Sequence, residues 1–289
     1  MPLRELRVGA GAFARPLYSR SMPRFAANLS MMFTEVPFPQ RFEAAARSGF
    51  DAVEFLFPYD YPARDIRRWL RDNDLVNVLF NLPPGDWAAG DRGCASIPGR
   101  EAEFRAGLDH ALEYADILAT PHLHAMAGLL PPGADRRRHR DVYVNNLKRA
   151  APLAGAQGRT LLIEAINPRD IPGFFLNTQA EAHAIRHDVC QEVDAAHLKV
   201  QMDFYHAQIV GGDLATTFQT YVDGIGHVQI AGVPERSEPD RGEVNYAFVF
   251  DLLDEAGYRG WVGCEYRPAG RTEDGLGWLD NWRQGRQTA

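Results

Sequence analysis

A repeated alternation of strand-like and helix-like segments is the feature that most constrains how this chain can fold. From residue 24 onward, short runs of β-branched and aromatic residues are each followed by ten or more residues with helical apolar spacing. The predicted strands are 24–30, 51–57, 75–81, 121–127, 160–166, 197–203, 226–231 and 261–266. The predicted helices lie near 38–48, 62–72, 100–118, 137–156, 178–190, 213–223, 246–256 and 274–284.

This alternation predicts an α/β fold, a (β/α)8 barrel. The units average roughly 33 residues, and eight of them approach the ~250 residues typical of such a barrel. A doubly wound open sheet is the alternative, and it often carries a glycine-rich phosphate loop after its first strand. Here the first strand is followed by the residues SMMF at 30–33. The pattern therefore favours one barrel domain over residues 22–289.

Residues 1–21 differ from the rest of the chain. They contain four arginines and one acidic residue, and they have neither helical nor strand periodicity. The sequence predicts a flexible N-terminal extension there. A targeting segment is the alternative interpretation, although the run VGAGAFA at 8–14 is short and weakly apolar for a secretory core.

Charge and cysteine content exclude several classes of protein. The 38 acidic and 31 basic residues give a net charge of −7, whereas nucleic-acid and membrane-surface binders need a basic face. No apolar run approaches the ~20 residues that span a bilayer. The three cysteines are far apart and lack the spacing of a metal site or a disulfide framework. We therefore expect a cytoplasmic enzyme with a small-molecule partner, without nucleic-acid or membrane partners.

Polar residues mark the ends of the later predicted strands. Glu164, Asp203, Gln229 and Glu265 each follow or interrupt an apolar run on a different unit. In a barrel the carboxyl ends of the strands converge on one mouth, so these four oxygen donors would meet there. Such carboxylates repel each other unless a cation neutralises them, and oxygen ligands suit Mg²⁺ or Mn²⁺. Each residue alone fits a solvated rim position equally well, but four together predict a metal site.

Other polar residues lie close to this predicted mouth. His206 follows Asp203 by three positions, and Arg236 lies in the loop after the seventh strand, where it suits a substrate carboxylate or oxygen pair. A core histidine and a surface arginine are the alternatives. Three earlier positions are predicted substrate contacts: Glu54, Asn81 and Trp87. For Glu54 and Asn81, as for Asn28, contact with the residues around the metal is the alternative. Trp87 lies in a glycine- and proline-rich loop over 82–93 that is either a lid or a surface turn.

Several segments resemble the hydroxypyruvate isomerase family of xylose-isomerase-like barrels. They fall in order along the chain and include the strands of the predicted metal site. They are FAANLSMMF at 25–33, AVEFLFPYD at 52–60, NLPPGDWAAGDRG at 81–93, LLIEAIN at 161–167, IPGF at 171–174, GEVNY at 242–246 and GWVGCEY at 260–266. Residues 1–21 take no part in the resemblance.

The resemblance implies a metal-assisted isomerase of short hydroxy-oxo acids that works through an enediolate. It assigns the metal ligands to Glu164, Asp203, Gln229 and Glu265, the acid and base to Glu164 and Glu265, and substrate oxygens to His206 and Arg236. Phe80 and the run QIAGVPER at 229–236 depart from the enteric hydroxypyruvate isomerases and are similar to a branch described as 2-oxo-tetronate isomerases.

The residues leave other functions open. A sugar epimerase of the same superfamily or a non-catalytic sugar-acid-binding barrel would share the fold. DNA-repair endonucleases of this superfamily use histidine-rich clusters around several zinc ions, and the nine histidines and acidic charge here disfavour that function. Apolar outer helix faces could also pair two copies into a homo-oligomer.

Overall fold

Eight parallel strands close into a barrel in the order β1 to β8, which confirms the predicted (β/α)8 fold. The computed structural model describes residues 23–285, so the predicted extension over 1–21 lies outside the described residues. The strands are β1 Arg24–Asn28, β2 Ala52–Glu54, β3 Val76–Asn81, β4 His122–His124, β5 Thr160–Glu164, β6 Leu198–Asp203, β7 Ile225–Ile230 and β8 Trp261–Cys264. The helices are α1 Phe38–Arg47, α2 Ala63–Asp72, α3 Glu101–Leu118, α4 Arg136–Ala156, α5 Gln179–Glu192, α6 Phe204–Val210, α7 Leu214–Tyr221, α8 Tyr246–Glu255 and α9 Gly277–Gly285.

Side chains along each strand alternate between the barrel interior and the helical layer. Ala26, Ala52 and Leu162 pack together in a small apolar cluster inside the barrel. Their neighbours Ala27 and Val53 belong to the larger core between sheet and helices. Because the side-chain period of a strand is two, the next inward positions on β1, β2 and β5 carry polar groups. These positions are Asn28, Glu54 and Glu164, and all three are buried.

The surrounding helices cover the barrel with apolar faces. On α2, Ala63, Ile66 and Leu70 are buried at helical spacing. The longer α4 begins at Asp135, whose side chain accepts hydrogen bonds from the backbone nitrogens of the first turn and caps it. Within the described part of the chain, no helix combines the length and the apolar character needed to cross a membrane.

Seven of the eight predicted strands are shorter in the structure, two of them by four residues, and one helix was not predicted. The strand predicted over 51–57 ends at Glu54, where a bulge shifts its register against β3. The strand predicted over 121–127 ends at His124. Directly after β6, the side chain of Asp203 accepts a hydrogen bond from the backbone nitrogen of Tyr205 at 2.8 Å and caps α6. This cap fixes one carboxylate oxygen of Asp203 and leaves the other free.

Candidate active site and metal centre

Four buried side chains form a compact group at the carboxyl ends of the strands. Among the His, Cys, Asp and Glu side chains that the structure describes, the ligand atoms of Glu164, Asp203, His206 and Glu265 lie within 4.8 Å of one another. These residues come from β5, β6, α6 and the end of β8, and each is at most 7% exposed. The sequence analysis placed three of the four in the metal set and His206 beside it. The polar side chains at the ends of these strands therefore do meet at one end of the barrel.

Two oxygen atoms in this group have no hydrogen-bond partner among the described residues. They are Oε1 of Glu164 and Oδ2 of Asp203, and both are buried. Buried polar atoms are normally hydrogen-bonded, so two buried oxygens without a hydrogen bond indicate that a ligand binds there. Carboxylate oxygens directed into a site with a third acid are suitable ligands for a hard divalent cation. The residues present therefore fit the predicted metal.

Burial dominates the electrostatics of the three acids. It raises the pKa of Glu265 to about 8 and that of Asp203 to about 6, although Arg236 lowers both. Burial, and then the charges of Glu265 and Asp203, raise the pKa of Glu164 well above its ordinary value. Three ionised carboxylates in this volume therefore need more positive charge than Arg236 alone supplies. A proton or a divalent cation can supply it.

Arg236 lies against the acids as predicted from its loop position. Its Nη2 is 2.5 Å from Oε2 of Glu265 and 3.6 Å from Oδ2 of Asp203. Its Nη1 is 2.9 Å from Oδ2 of Asp170, and the guanidinium lies over the ring of Tyr205 at 4.9 Å. The backbone of Arg236 is left-handed, with φ of +53°. This uncommon conformation directs the side chain into the mouth, and burial to 8% exposure keeps it there.

Asn167 determines which nitrogen of His206 carries the proton. The Asn167 Oδ1 accepts a hydrogen bond from the backbone nitrogen of Asp170 at 2.8 Å, so its Nδ2 faces Nδ1 of His206 at 2.6 Å. Burial lowers the pKa of His206 well below its ordinary value, which makes the ring neutral. With Nδ1 accepting, the proton is on Nε2, which is 3.5 Å from Asp203 and 3.7 Å from Glu164. This tautomer offers a hydrogen-bond donor in the mouth, as a substrate contact requires.

Gln229 lies beside Asp203, its register partner on the neighbouring strand. Its Nε2 donates to Oε1 of Glu54 at 2.7 Å, and its Oε1 accepts from Nε2 of Gln201 at 2.5 Å. An amide oxygen has a second lone pair, so this arrangement leaves Gln229 able to coordinate a cation. Its role as a metal ligand stays a prediction.

The other predicted contacts take different positions. Glu54 is fully buried inside the barrel, next to Gln229. Asn81 ends β3, is paired in register with His124, and accepts from the hydroxyl of Tyr59 through its backbone carbonyl at 2.7 Å. Trp87 is 40% exposed and contacts Phe57 at 5.1 Å between ring centroids. Their roles as substrate contacts stay predictions.

The sequence analysis missed three residues of this region. Asn167 and Asp170 follow β5 and reach His206 and Arg236, respectively. His124 ends β4, with Nδ1 3.6 Å from Oε2 of Glu164 and with Nε2 buried and lacking a hydrogen-bond partner among residues 23–285. All three share the signal that found the metal set, a polar residue at or just after a strand end.

Comparison with known proteins identifies the family and the reaction class. The family model of the xylose isomerase-like TIM barrel matches residues 42–282. The 2-oxo-tetronate isomerase of Cupriavidus necator is 58% identical over 258 residues, which are 89% of this chain and 98% of that protein. The hydroxypyruvate isomerase of Escherichia coli is 46% identical over 262 residues, which are 91% of this chain and 100% of that protein. These relatives confirm the predicted resemblance and the prediction of an isomerase.

Solved structures show the same barrel. A crystal structure described as an AP endonuclease of family 2 from Brucella melitensis has a TM-score of 0.87 and 50% identity, covering 90% of this chain and 99% of that one. The 3-keto-D-glucoside 4-epimerase of Escherichia coli has a TM-score of 0.74 at 20% identity, covering 90% of this chain and 99% of that one, which shows a shared fold. The chain belongs to the xylose isomerase-like TIM barrel family, in the group that contains the hydroxypyruvate and 2-oxo-tetronate isomerases.

Proposed function

We propose that this protein is a divalent-metal-dependent isomerase that interconverts short hydroxy-oxo acids through an enediolate. The observation that carries the proposal is the buried group of Glu164, Asp203 and Glu265 beside the guanidinium of Arg236. The names of the relatives support the reaction class. The substrate is hydroxypyruvate, converted to tartronate semialdehyde, or 2-oxo-tetronate, converted to 3-oxo-tetronate.

Glu164, Asp203, Gln229 and Glu265 would hold the cation, which is Mg²⁺ or Mn²⁺ by the oxygen character of this set. When bound, the cation supplies Lewis-acid polarisation of the substrate carbonyl and stabilises negative charge on the adjacent oxygens. The orphaned oxygens of Glu164 and Asp203 support this assignment. The proton on Nε2 of His206 keeps that ring out of the ligand set and makes it a donor.

Glu164 and Glu265 carry the proton transfers. One carboxylate removes a proton from the hydroxyl-bearing carbon, and the other delivers a proton to the former carbonyl carbon. The hydroxyl proton passes to the former carbonyl oxygen, so atoms balance and no other reactant is needed. In the metal-free site, burial raises the pKa of both carboxylates above the ordinary value, which is the direction that makes a carboxylate a stronger base.

His206 and Arg236 would orient the reacting atoms. Nε2–H of His206 would donate to a substrate oxygen beside Glu164, and the guanidinium of Arg236 would face a substrate oxygen beside Glu265. Both side chains are buried, which fixes their geometry before substrate arrives. Preorganised donors of this kind stabilise oxygen charge as it develops.

We favour the four-carbon substrate over hydroxypyruvate. The Cupriavidus necator relative with 58% identity is named 2-oxo-tetronate isomerase, while the hydroxypyruvate isomerase of Escherichia coli has 46% identity. Phe80 and the run over 229–236 point in the same direction.

Proton NMR in D₂O tests the proposal. Hydroxypyruvate and 2-oxo-tetronate are each incubated with the protein and Mg²⁺ or Mn²⁺, with and without chelator. We expect product with deuterium at carbon, lost on chelation, and faster turnover of the four-carbon acid. Turnover that survives chelation would overturn the metal requirement. Absence of both turnover and exchange would leave a sugar-acid-binding barrel or an epimerase as the better function.

The likeness to the structure described as an AP endonuclease calls for a separate control. The described cluster offers a single histidine, and the chain carries a net charge of −7, both unfavourable for a zinc site that grips phosphates. We therefore expect no cleavage of DNA containing an abasic site under conditions that support isomerisation. Cleavage that scales with protein concentration would contradict the isomerase as the main function.

A further inference from the structure

We propose that Glu54 is a positioning residue that sets the amide orientation of Gln229, so that the Gln229 oxygen faces the metal site. This inference rests on the proposed function, because it assigns Gln229 to the cation. Of the two roles that the sequence left open for Glu54, it selects contact with the residues around the metal over contact with the substrate. The hydrogen bonds of the Glu54 carboxylate support this role.

The carboxylate of Glu54 is surrounded by donors inside the barrel. Its Oε1 accepts from Nδ2 of Asn28 at 3.0 Å and from Nε2 of Gln229 at 2.7 Å. Its Oε2 is 2.8 Å from Nε2 of His227. The side chain is fully buried, with 0% exposure, so it faces protein rather than the open mouth. Three partners on β1 and β7 therefore meet at one acidic group on β2.

This contact removes an ambiguity at Gln229. The oxygen and nitrogen of a glutamine amide have nearly the same shape, and the hydrogen-bond network decides which atom points where. The backbone nitrogen of Ser30 donates to Oδ1 of Asn28 at 3.1 Å, so Nδ2 of Asn28 donates to Oε1 of Glu54. This oxygen is therefore an acceptor, and the amide nitrogen of Gln229 must face it. Its oxygen then points away, toward Gln201 and the strand edge shared with Asp203. Without an acceptor at position 54, only the hydrogen bond from Gln201 would hold this orientation, and the amide could rotate more readily and present its nitrogen to the cation.

The same carboxylate supports the opposite side of the site through Asn28. Nδ2 of Asn28 bridges Oε1 of Glu54 and Oε1 of Glu265, at 3.0 and 3.3 Å. Glu54 thus contacts one predicted ligand, Gln229, and a partner of another, Glu265, while remaining outside the cluster itself. In metal sites, partners that orient the ligands typically contribute 10- to 100-fold to metal affinity or activity.

Gly263 on β8 makes room for this arrangement. A Cβ atom at this position would lie 2.4 Å from Oε2 and 2.5 Å from Oε1 of Glu54. Real Cβ atoms do not approach oxygen this closely, so alanine at 263 would displace the carboxylate. The bare backbone of Gly263 is therefore a second, independent requirement for Glu54 in its observed position.

Mn²⁺ binding measured by titration calorimetry on the full chain tests the inference, with kcat and the thermal midpoint recorded in parallel. Glu54→Met removes every acceptor at similar volume, and we expect the Kd for Mn²⁺ to rise about 10- to 100-fold. Glu54→Gln keeps one oxygen that can accept from Gln229 but removes the charge, and we expect it to restore most of the affinity. Equal losses in the two variants would assign the effect to charge and overturn the positioning role.

Two further variants make the result independent of any folding defect in Glu54→Met. Gly263→Ala is expected to weaken Mn²⁺ binding similarly, whereas its control Gly107→Ala, whose added Cβ meets only Pro83 at 3.5 Å, is expected to leave the Kd unchanged. The double variant Glu54→Met with Gln229→Ala is expected to lose less affinity than the two single losses combined, because the effect that passes through Gln229 is already gone. Additive losses would contradict action through Gln229. Wild-type protein that binds no Mn²⁺ would instead refute the metal centre of the proposed function.

Discussion

The guanidinium of Arg236 lies 2.5 Å from the carboxylate of Glu265 and 2.9 Å from that of Asp170. It thereby joins the loop after β7 to the end of β8 and to the loop after β5. Since Arg236 lowers the pKa of Glu265 against the effect of burial, one buried cation controls how readily this carboxylate ionises. The binding of an anionic substrate next to this group would then affect the proton transfer directly.

Replacing Glu265 by Gln is expected to abolish isomerisation while leaving the fold intact. The change keeps the shape of the side chain but removes the group that accepts a proton from carbon, so kcat should fall by at least about 100-fold. NMR turnover and the thermal midpoint measure the two effects separately. Glu235→Gln, an exposed carboxylate in the loop that carries Arg236, is the matched control and should keep its rate. A near-native rate in Glu265→Gln would contradict the assignment of Glu265 as an acid or base in the reaction.

Arg236→Gln should shift the pH profile of kcat/KM to higher pH. Arg236 lowers the pKa of Glu265, so its removal raises that pKa and the base becomes ionised only at higher pH. The profile is measured at saturating Mn²⁺, and Arg241→Gln in the same loop serves as the control. An unchanged acidic limb would show that Arg236 does not control this ionisation.

Much of the site follows from one rule of the barrel, that polar residues at the ends of strands meet at one mouth. The rule located Glu164, Asp203 and Glu265 because each directly ends an apolar run of the sequence. It placed Glu54 at the mouth as well, but this carboxylate lies inside the barrel, where it accepts from Asn28 and Gln229 and lies against Gly263. Such details depend on packing between strands far apart in sequence, which a strand-by-strand pattern does not contain.

Hydrogen-bond networks were the least predictable part. The sequence identified His206 as a group near the mouth, but its tautomer depends on Asn167, which in turn depends on the backbone nitrogen of Asp170. No spacing rule links a strand-five loop to a helix after strand six. Likewise, α6 escaped prediction because it is short and starts from a cap, Asp203, that was assigned only to the metal. The sequence shows that Asp203 is a polar residue at the end of a strand, but it does not show that the same side chain both lies in the acidic cluster and caps a helix.

Asn167→Asp should impair catalysis by reversing the tautomer of His206. A carboxylate at position 167 would accept from Nδ1 of His206, so the ring would hold its proton there and Nε2 would become an acceptor. We expect kcat/KM to fall about 100-fold, since the donor that faces the substrate oxygen is lost. Nitrogen NMR of labelled histidine reports the tautomer directly. A variant with Nε2 still protonated and with reduced rate would show that Asn167 acts in another way.

Adding Mn²⁺ should raise the thermal midpoint of the wild-type protein. The cation binds only the folded cluster, so at 100 times its Kd it stabilises the fold by about 2.7 kcal/mol. Chelator should reverse the increase. Asp203→Asn removes one ligand charge and should reduce the response, whereas Asp213→Asn, at the start of α7, should leave it intact. An equal response in the Asp203 variant would place the bound cation elsewhere.

Lowering the pH should reduce the free energy of unfolding, because His122 stays neutral in the folded protein. Burial, followed by the charge of His227, lowers the pKa of His122 from 6.5 to about 3. Between these values the unfolded chain binds a proton that the folded protein excludes, so this contribution to stability is present above pH 6.5 and is lost toward pH 3. The slope is at most about 1.4 kcal/mol per pH unit. In urea unfolding with chelator present, the free energy of unfolding of His122→Gln should therefore fall less steeply than that of wild type from pH 6.5 to 4.5. Parallel curves would contradict a His122 that stays neutral in the folded protein.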